Sequence, residues 1–166
     1  FQLNWNKSIF IHDLTKEFPW EDNSIDVIYT SHTLEHFDKV DGTFFLNECK
    51  RILRVGGILR VIVPDFFHLI KRYNSGSLKS YDFINSLDVL PKKPLSQMSL
   101  FEKLFSFFFS YPHKCMYDEI GLKNKLIQIG FNVKSAGYNE SKILDINNIE
   151  NEDRCHNAVI LECTKQ

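Results

Sequence analysis

No two of the four cysteines stand as Cys-x-x-Cys, and Cys49, Cys115, Cys155 and Cys163 lack zinc-finger spacing. A redox dithiol and a small zinc-built module are therefore not encoded. Neither sign of charge is in excess, with 20 Lys and Arg against 21 Asp and Glu and a formal net charge of -1. That balance gives no electrostatic reason to expect nucleic acid or an anionic membrane as a partner. Long apolar runs are also lacking. The nearest to one, residues 100–109, is short and interrupted by Glu102 and Lys103, so no stretch is fit to span a bilayer. Glycine is sparse, at positions 42, 56, 57, 76, 121, 130 and 137, and no two of these form Gly-x-Gly. Phenylalanine, by contrast, occurs fifteen times, which points first to a large aromatic core and only then to a lid or an interface.

At 166 residues, 43% hydrophobic and 25% charged, the chain has the size and composition of one globular domain. Cys49 falls on a helical face and Cys163 in a strand run, so both are expected to be small buried hydrophobes, with reduced thiols in a cytoplasmic protein.

Ser8–His12 reads as a short strand, and Phe18–Ser24 as a turn leading into a strand over Ile25–Tyr29. From Thr43 to Leu53, Phe45, Cys49 and Ile52 recur at helical spacing beside Leu46 and Leu53, with Gly56-Gly57 expected to stop the helix. Ile58–Val63 is an apolar run broken only by Arg60 and ended by Pro64, as in a central parallel strand. Phe66–Tyr73 suggests a helix, residues 75–99 a mobile insertion, and residues 99–109 a Phe-rich helix. Asp118 is placed to cap a helix carrying Leu122, Leu126 and Ile129, ended by Gly130. Phe131–Tyr138 and Ala158–Thr164 read as the last strands, joined by a polar loop. The order predicts an α/β fold with an antiparallel end.

His32, Glu35, His36 and Asp65 fall just past the carboxyl ends of the two apolar runs. In open α/β sheets that edge is where ligands bind. Asp65 is as well placed to cap the following helix, and capping is the expectation. Arg51 is expected to be structural, and His113 and Tyr117 to be exposed loop residues beside the site. As spelled, His32-x-x-Glu35-His36 also matches an inverted zinc-peptidase pattern. On a helix, His32 and His36 would share a face.

Six segments in order, Asp13-Leu14, Phe18-Pro19-Trp20, Asp26–Tyr29, His32–His36, Arg51–Gly57 and Ile58–Asp65, resemble the class I S-adenosylmethionine-dependent methyltransferases of the compact bacterial and archaeal type. The Tyr117-Asp118 helix start, the Gly130-Phe131 turn and the Arg154-x-His156 loop fit as well. The resemblance implies a Rossmann-like α/β sheet, mostly parallel with an antiparallel terminal strand. It also implies a Gly-x-Gly cofactor loop, which this sequence lacks. Aligned by order, Ser8–His12 is the family's third strand, so the expectation is a partial domain over residues 1–166 whose first two strands precede Phe1, with residues 75–110 as an insertion or lid.

The roles that the resemblance implies are adenine binding by the Asp13 carboxylate and the Leu14 backbone N–H, with His32 nearest the reacting centre. Glu35 and His36 would be its orienting neighbours, so that His32, Glu35 and His36 form the catalytic group. S-adenosylmethionine is the implied cofactor. A divalent metal held by a Glu-His pair, as in some relatives, is weighed but not assigned, and no metal ligand is named. A neutral histidine is suited to take a proton from a hydroxyl near neutral pH. The expected activity is methyl transfer to a small-molecule acceptor, by O-methylation, with a saccharide or cell-surface precursor as the suggested class. A homo-oligomer contact through residues 100–111 is also expected. Two rivals are a non-catalytic interaction module and a zinc metallopeptidase.

Overall fold

A computed structural model describes residues 10–90, 95–97, 99 and 112–166. Strand β1, Ile25–Ser31, is rich in β-branched and aromatic side chains, as strands are. It starts where Asn23, in the left-handed region at φ 59, turns the chain, and Ser24 N–H donates to the Ile52 carbonyl at 2.8 Å. Helix α1, Lys39–Ile52, begins four residues earlier than its apolar spacing suggests, because Asp38 accepts from the N–H groups of Val40 and Asp41. Its buried stripe, Phe45, Leu46, Cys49 and Ile52, is the predicted one.

The helix does not run to the double glycine. It ends at Ile52, and Leu53–Pro64 is one long strand, β2, which contains Gly56 and Gly57. Ile25 pairs with Leu53 and Val27 with Ile58, so β2 inserts extra residues between the two pairings. Gly56 takes the bend at φ +81, and a Cβ on Gly57 would lie 2.8 Å from the Arg54 carbonyl and 3.0 Å from that of Asp26. The pair thus serves a bulge in a strand, not a helix terminus.

Helix α2, Phe66–Asn74, is capped by Asp65, which accepts from Phe67 N–H, as expected. The predicted insertion contains a helix, α3, Ser80–Ser86, so its described part is not simply a loop. The expected Phe-rich helix and the oligomer contact at 100–111 lie outside the described residues. Helix α4, Glu119–Ile129, has the predicted cap on Asp118 and ends at Gly130 with φ +101. Strand β3, Phe131–Ser135, is shorter than expected. A short helix α5, Glu152–Cys155, precedes strand β4, Ala158–Lys165. Of the strand expected over Ser8–His12, residues 8 and 9 lie outside the described residues, and Phe10–His12 form no strand. Instead Phe10 packs on Trp20 and His12 on Phe18, an aromatic association that takes the place of sheet pairing.

The sheet runs β1-β2-β4-β3, with β1 parallel to β2 and both other pairings antiparallel. Leu59, Val61 and Val63 face the main core with Leu46, Leu122, Leu126 and Leu161. The opposite face is unusual. There Arg60, fully buried, donates to the carbonyls of Gly137 and Glu140 at 2.8 and 2.9 Å and to Glu150 Oε1 at 2.5 Å. The chain between β3 and β4 covers this face, wrapping the guanidinium and packing Cys155 of α5 with Ile62 and Ile160.

Candidate active site

The site grows from the carboxyl ends of the parallel pair. His32 N–H donates to the Ile62 carbonyl at 2.9 Å, which carries the β1·β2 ladder one residue past Ser31. His32 itself takes φ 51, a left-handed conformation that costs a residue with a Cβ some stability and marks a turn held by its surroundings. Leu34–His36 then form a single 3₁₀ turn, with Leu34 and Glu35 buried.

His32 Nε2 lies 2.8 Å from the Arg154 carbonyl. A carbonyl only accepts, so Nε2 carries a hydrogen. Its Nδ1 faces Glu35 Oε1 at 3.4 Å. The Glu35 carboxylate first, then the Arg154 carbonyl, hold the His32 pKa above its ordinary value against the opposing effect of burial.

Glu35 is the centre of the cluster. Its side chain is 1% exposed, and neither carboxylate oxygen makes a full hydrogen bond among the described residues. Its backbone carbonyl accepts from Lys114 and Cys115 N–H at 2.8 and 3.1 Å, which docks residues 113–115 on the turn. His113 comes with them. Its Nδ1 lies 2.9 Å from the Leu87 carbonyl, its Nε2 lies 3.9 Å from Glu35 Oε1, and its ring centroid is 5.1 Å from that of His36. Tyr117 is buried as well, bridges to Asp65, and has its pKa raised chiefly by burial. His113 and Tyr117 are therefore not the exposed loop residues expected.

The zinc-peptidase arrangement is absent from this segment. His32 follows the end of β1 in a left-handed turn and His36 sits in a 3₁₀ turn, so no α-helical face carries both. Arg51 is structural as expected. It joins Glu48, Asp22 and the carbonyls of Phe18 and Trp20, with distances of 2.7–2.9 Å.

Asp13 lies in a turn of its own, where Oδ1 accepts from Thr15 N–H at 3.0 Å and Thr15 Oγ1 at 2.8 Å. The Thr15 backbone bond leads in holding its pKa below the usual carboxylate value. Leu14 lines a cavity of about 550 Å³ along β1, walled by Phe18, Trp20, Phe45 and Ile28. Ser31 and Thr33, the two neighbours of His32, line the same cavity. The structure thus brings His32, Glu35 and His36 into one cluster and sets Leu14 on a cavity that reaches the residues flanking His32.

Residues 2–61 match the family model described as a methyltransferase domain, a span that holds Asp13, Leu14, His32, Glu35 and His36. The fold is that of the class I methyltransferases. Among solved structures, the class I methyltransferase fold of this chain is similar to a chain of the complex between the Haloferax volcanii Trm112 methyltransferase activator and a proposed methyltransferase. That likeness has 12% identity, TM-score 0.50, and coverage of 93% of this chain and 60% of the other. The PH0226 protein of Pyrococcus horikoshii OT3 matches at 13% identity and TM-score 0.52, over 95% of this chain and 58% of its own. A possible exported protein of Bordetella parapertussis matches at 11% identity and TM-score 0.51, over 93% and 42%. No curated protein matches the chain. The chain spans 42% to 60% of the length of these three structures. The class I methyltransferase resemblance read from the sequence is borne out, and at these identities the structural likeness concerns the fold.

His113 and Arg154 are the site residues that sequence reasoning passed over or left as loop. Each reaches the cluster through backbone contacts, Lys114 and Cys115 to Glu35 and the Arg154 carbonyl to His32. No spacing rule reports such contacts.

Proposed function

We propose that the protein moves a methyl group from S-adenosylmethionine to a hydroxyl of a small acceptor, with a saccharide or cell-surface precursor as the acceptor class. The observation that carries this reading is the placement of the His32–Glu35–His36 turn at the carboxyl ends of two adjacent parallel strands, within the segment that matches a methyltransferase domain.

The residues at hand suit the cofactor chemically. Asp13 is an ionised acceptor whose Oδ1 is committed to Thr15, which leaves Oδ2 for the amino group of an adenine. Leu14 offers an apolar wall beside it. When bound, S-adenosylmethionine supplies an electrophilic methyl carbon on a positive sulfur. That carbon would pass to the acceptor oxygen as sulfur kept the C–S electron pair, and the site's own residues would have to take up the hydroxyl proton.

The His32–Glu35 pair is the base nearest the reacting centre: Nε2 donates to the Arg154 carbonyl and Nδ1 faces Glu35 Oε1 at 3.4 Å, so a proton taken up there is shared between the two. Glu35, on the Nδ1 side of the ring, stabilises the imidazolium that forms. His36 and Glu35 orient the turn, and the rest of the rate comes from holding the two reacting atoms in line.

The reading is tested by titrating the protein with S-adenosylhomocysteine and by following transfer of a labelled methyl group to candidate saccharides. His32→Gln is expected to lower turnover roughly 100-fold with cofactor affinity unchanged. Asp13→Ala is expected to weaken cofactor binding and leave the pH profile unchanged. A protein that binds no S-adenosylhomocysteine would refute the reading and favour the interaction-module alternative.

A further inference from the structure

One oxygen or nitrogen atom from each of Glu35, His36 and His113 lies within 4.8 Å of those of the other two. The donor set mixes two imidazoles with one carboxylate, and the carboxylate is buried with no full hydrogen bond among the described residues. A buried carboxylate is costly unless it is paired, and Glu35 Oε1 has His32 Nδ1 at 3.4 Å and His113 Nε2 at 3.9 Å beside it. Nothing in folding the turn requires a carboxylate here, since Glu35 contributes its backbone carbonyl, not its side chain, to the docking of residues 114 and 115.

The orientation of His113 sharpens the point. Because Nδ1 faces the Leu87 carbonyl at 2.9 Å, it must carry the ring's hydrogen when the ring is neutral. The bare lone pair of Nε2 is then directed toward Glu35 Oε1, 3.9 Å away. Two electron-rich groups face one another across a gap too long for contact and too buried to be indifferent. A cation between them converts that repulsion into attraction.

We propose that Glu35, His36 and His113 bind one divalent ion of the borderline class, Zn²⁺ foremost. Imidazole nitrogen favours such ions over Mg²⁺ and Ca²⁺, which prefer oxygen throughout. Tetrahedral ligands about 2.1 Å from zinc stand roughly 3.4 Å apart, so the three side chains draw together by roughly 1 Å on loading. The Leu87 carbonyl fixes the ligating nitrogen of His113, and His32, facing Glu35 Oε1 from Nδ1, braces the carboxylate. This ion site stands on side-chain geometry and does not depend on the methyl-transfer reading.

The test uses the chain stripped with a chelator and titrated with Zn²⁺ by calorimetry, and with Co²⁺ by visible absorption. One ion per chain is expected, with a rise in melting temperature and a cobalt spectrum free of thiolate charge-transfer bands. His113→Gln and Glu35→Gln should each weaken binding on the order of 100-fold while circular dichroism stays native. Should either variant fail to fold, His36→Gln provides the same readout. S-adenosylhomocysteine binding, measured in chelator, reports separately on the methyl-transfer reading. The proposal is overturned by any of three outcomes: no zinc binding, zinc binding indifferent to the folded variants, or a cobalt–thiolate band, which would move the ion to Cys115 or another cysteine.

Discussion

Arg60 shows how one buried residue can organise the segment that covers a sheet face. It looked like a blemish in an apolar strand, yet its guanidinium gathers Gly137, Glu140 and Glu150 beneath the sheet. Removing it leaves the Glu150 carboxylate, also fully buried, facing no cation. Arg60→Ala should therefore cost about 3–5 kcal/mol, measured by urea unfolding, and Glu150→Gln should be comparably costly because it leaves the buried guanidinium with only Glu162, at 3.5 Å, as a carboxylate partner. His32 gives a pH signature. Its folded pKa is raised above the ordinary 6.5, so the stability it adds is fully present below 6.5 and is lost as pH climbs through the raised value. In chelator, the melting temperature of the native chain minus that of His32→Gln should be largest in mild acid and should shrink as pH rises above 6.5. A flat difference would mean that Glu35 and the Arg154 carbonyl do not hold a proton on the ring.

Among the elements, caps and stripes were legible because they are local. Asp65 and Asp118 each accept from backbone N–H groups within three residues, and a sequence displays such neighbours directly; the Asp38 cap, equally local, went unread because the helix was placed from Thr43. Asp118→Ala should cost about 1 kcal/mol, read from thermal unfolding, without moving the sheet. Gly56-Gly57 misled for a physical reason. A glycine pair after a helical stripe fits a helix stop and a strand bulge equally, and only the β1 register selects the bulge. Gly57→Ala should cost roughly 1–3 kcal/mol, since a methyl group would press on the Arg54 and Asp26 carbonyls. Hydrogen exchange should show the loss concentrated at the β1·β2 junction.

At the scale of the molecule, β4 ties the sheet together, pairing with β2 on one side and β3 on the other. Deleting residues 158–166 should abolish cooperative unfolding, as followed by circular dichroism, because β3 loses its described strand partner and the core loses Leu161 and Cys163. The cavity beside β1 belongs to this scale as well. Its walls come from residues 14–20, β1 and α1, and no one element contains it.

The sequence by itself determined the α/β class, the β1–α1–β2 unit and the placement of His32, Glu35 and His36 at the strand ends, because periodicity and strand termini are properties of neighbours along the chain. Tertiary structure alone decided that His113 would meet Glu35, that Arg154 would fix the His32 hydrogen, and that Arg60 would be buried. Those contacts join residues 78, 122 and 90 positions apart. What selects them is the need to match buried charge and hydrogen-bonding capacity once the sheet has closed.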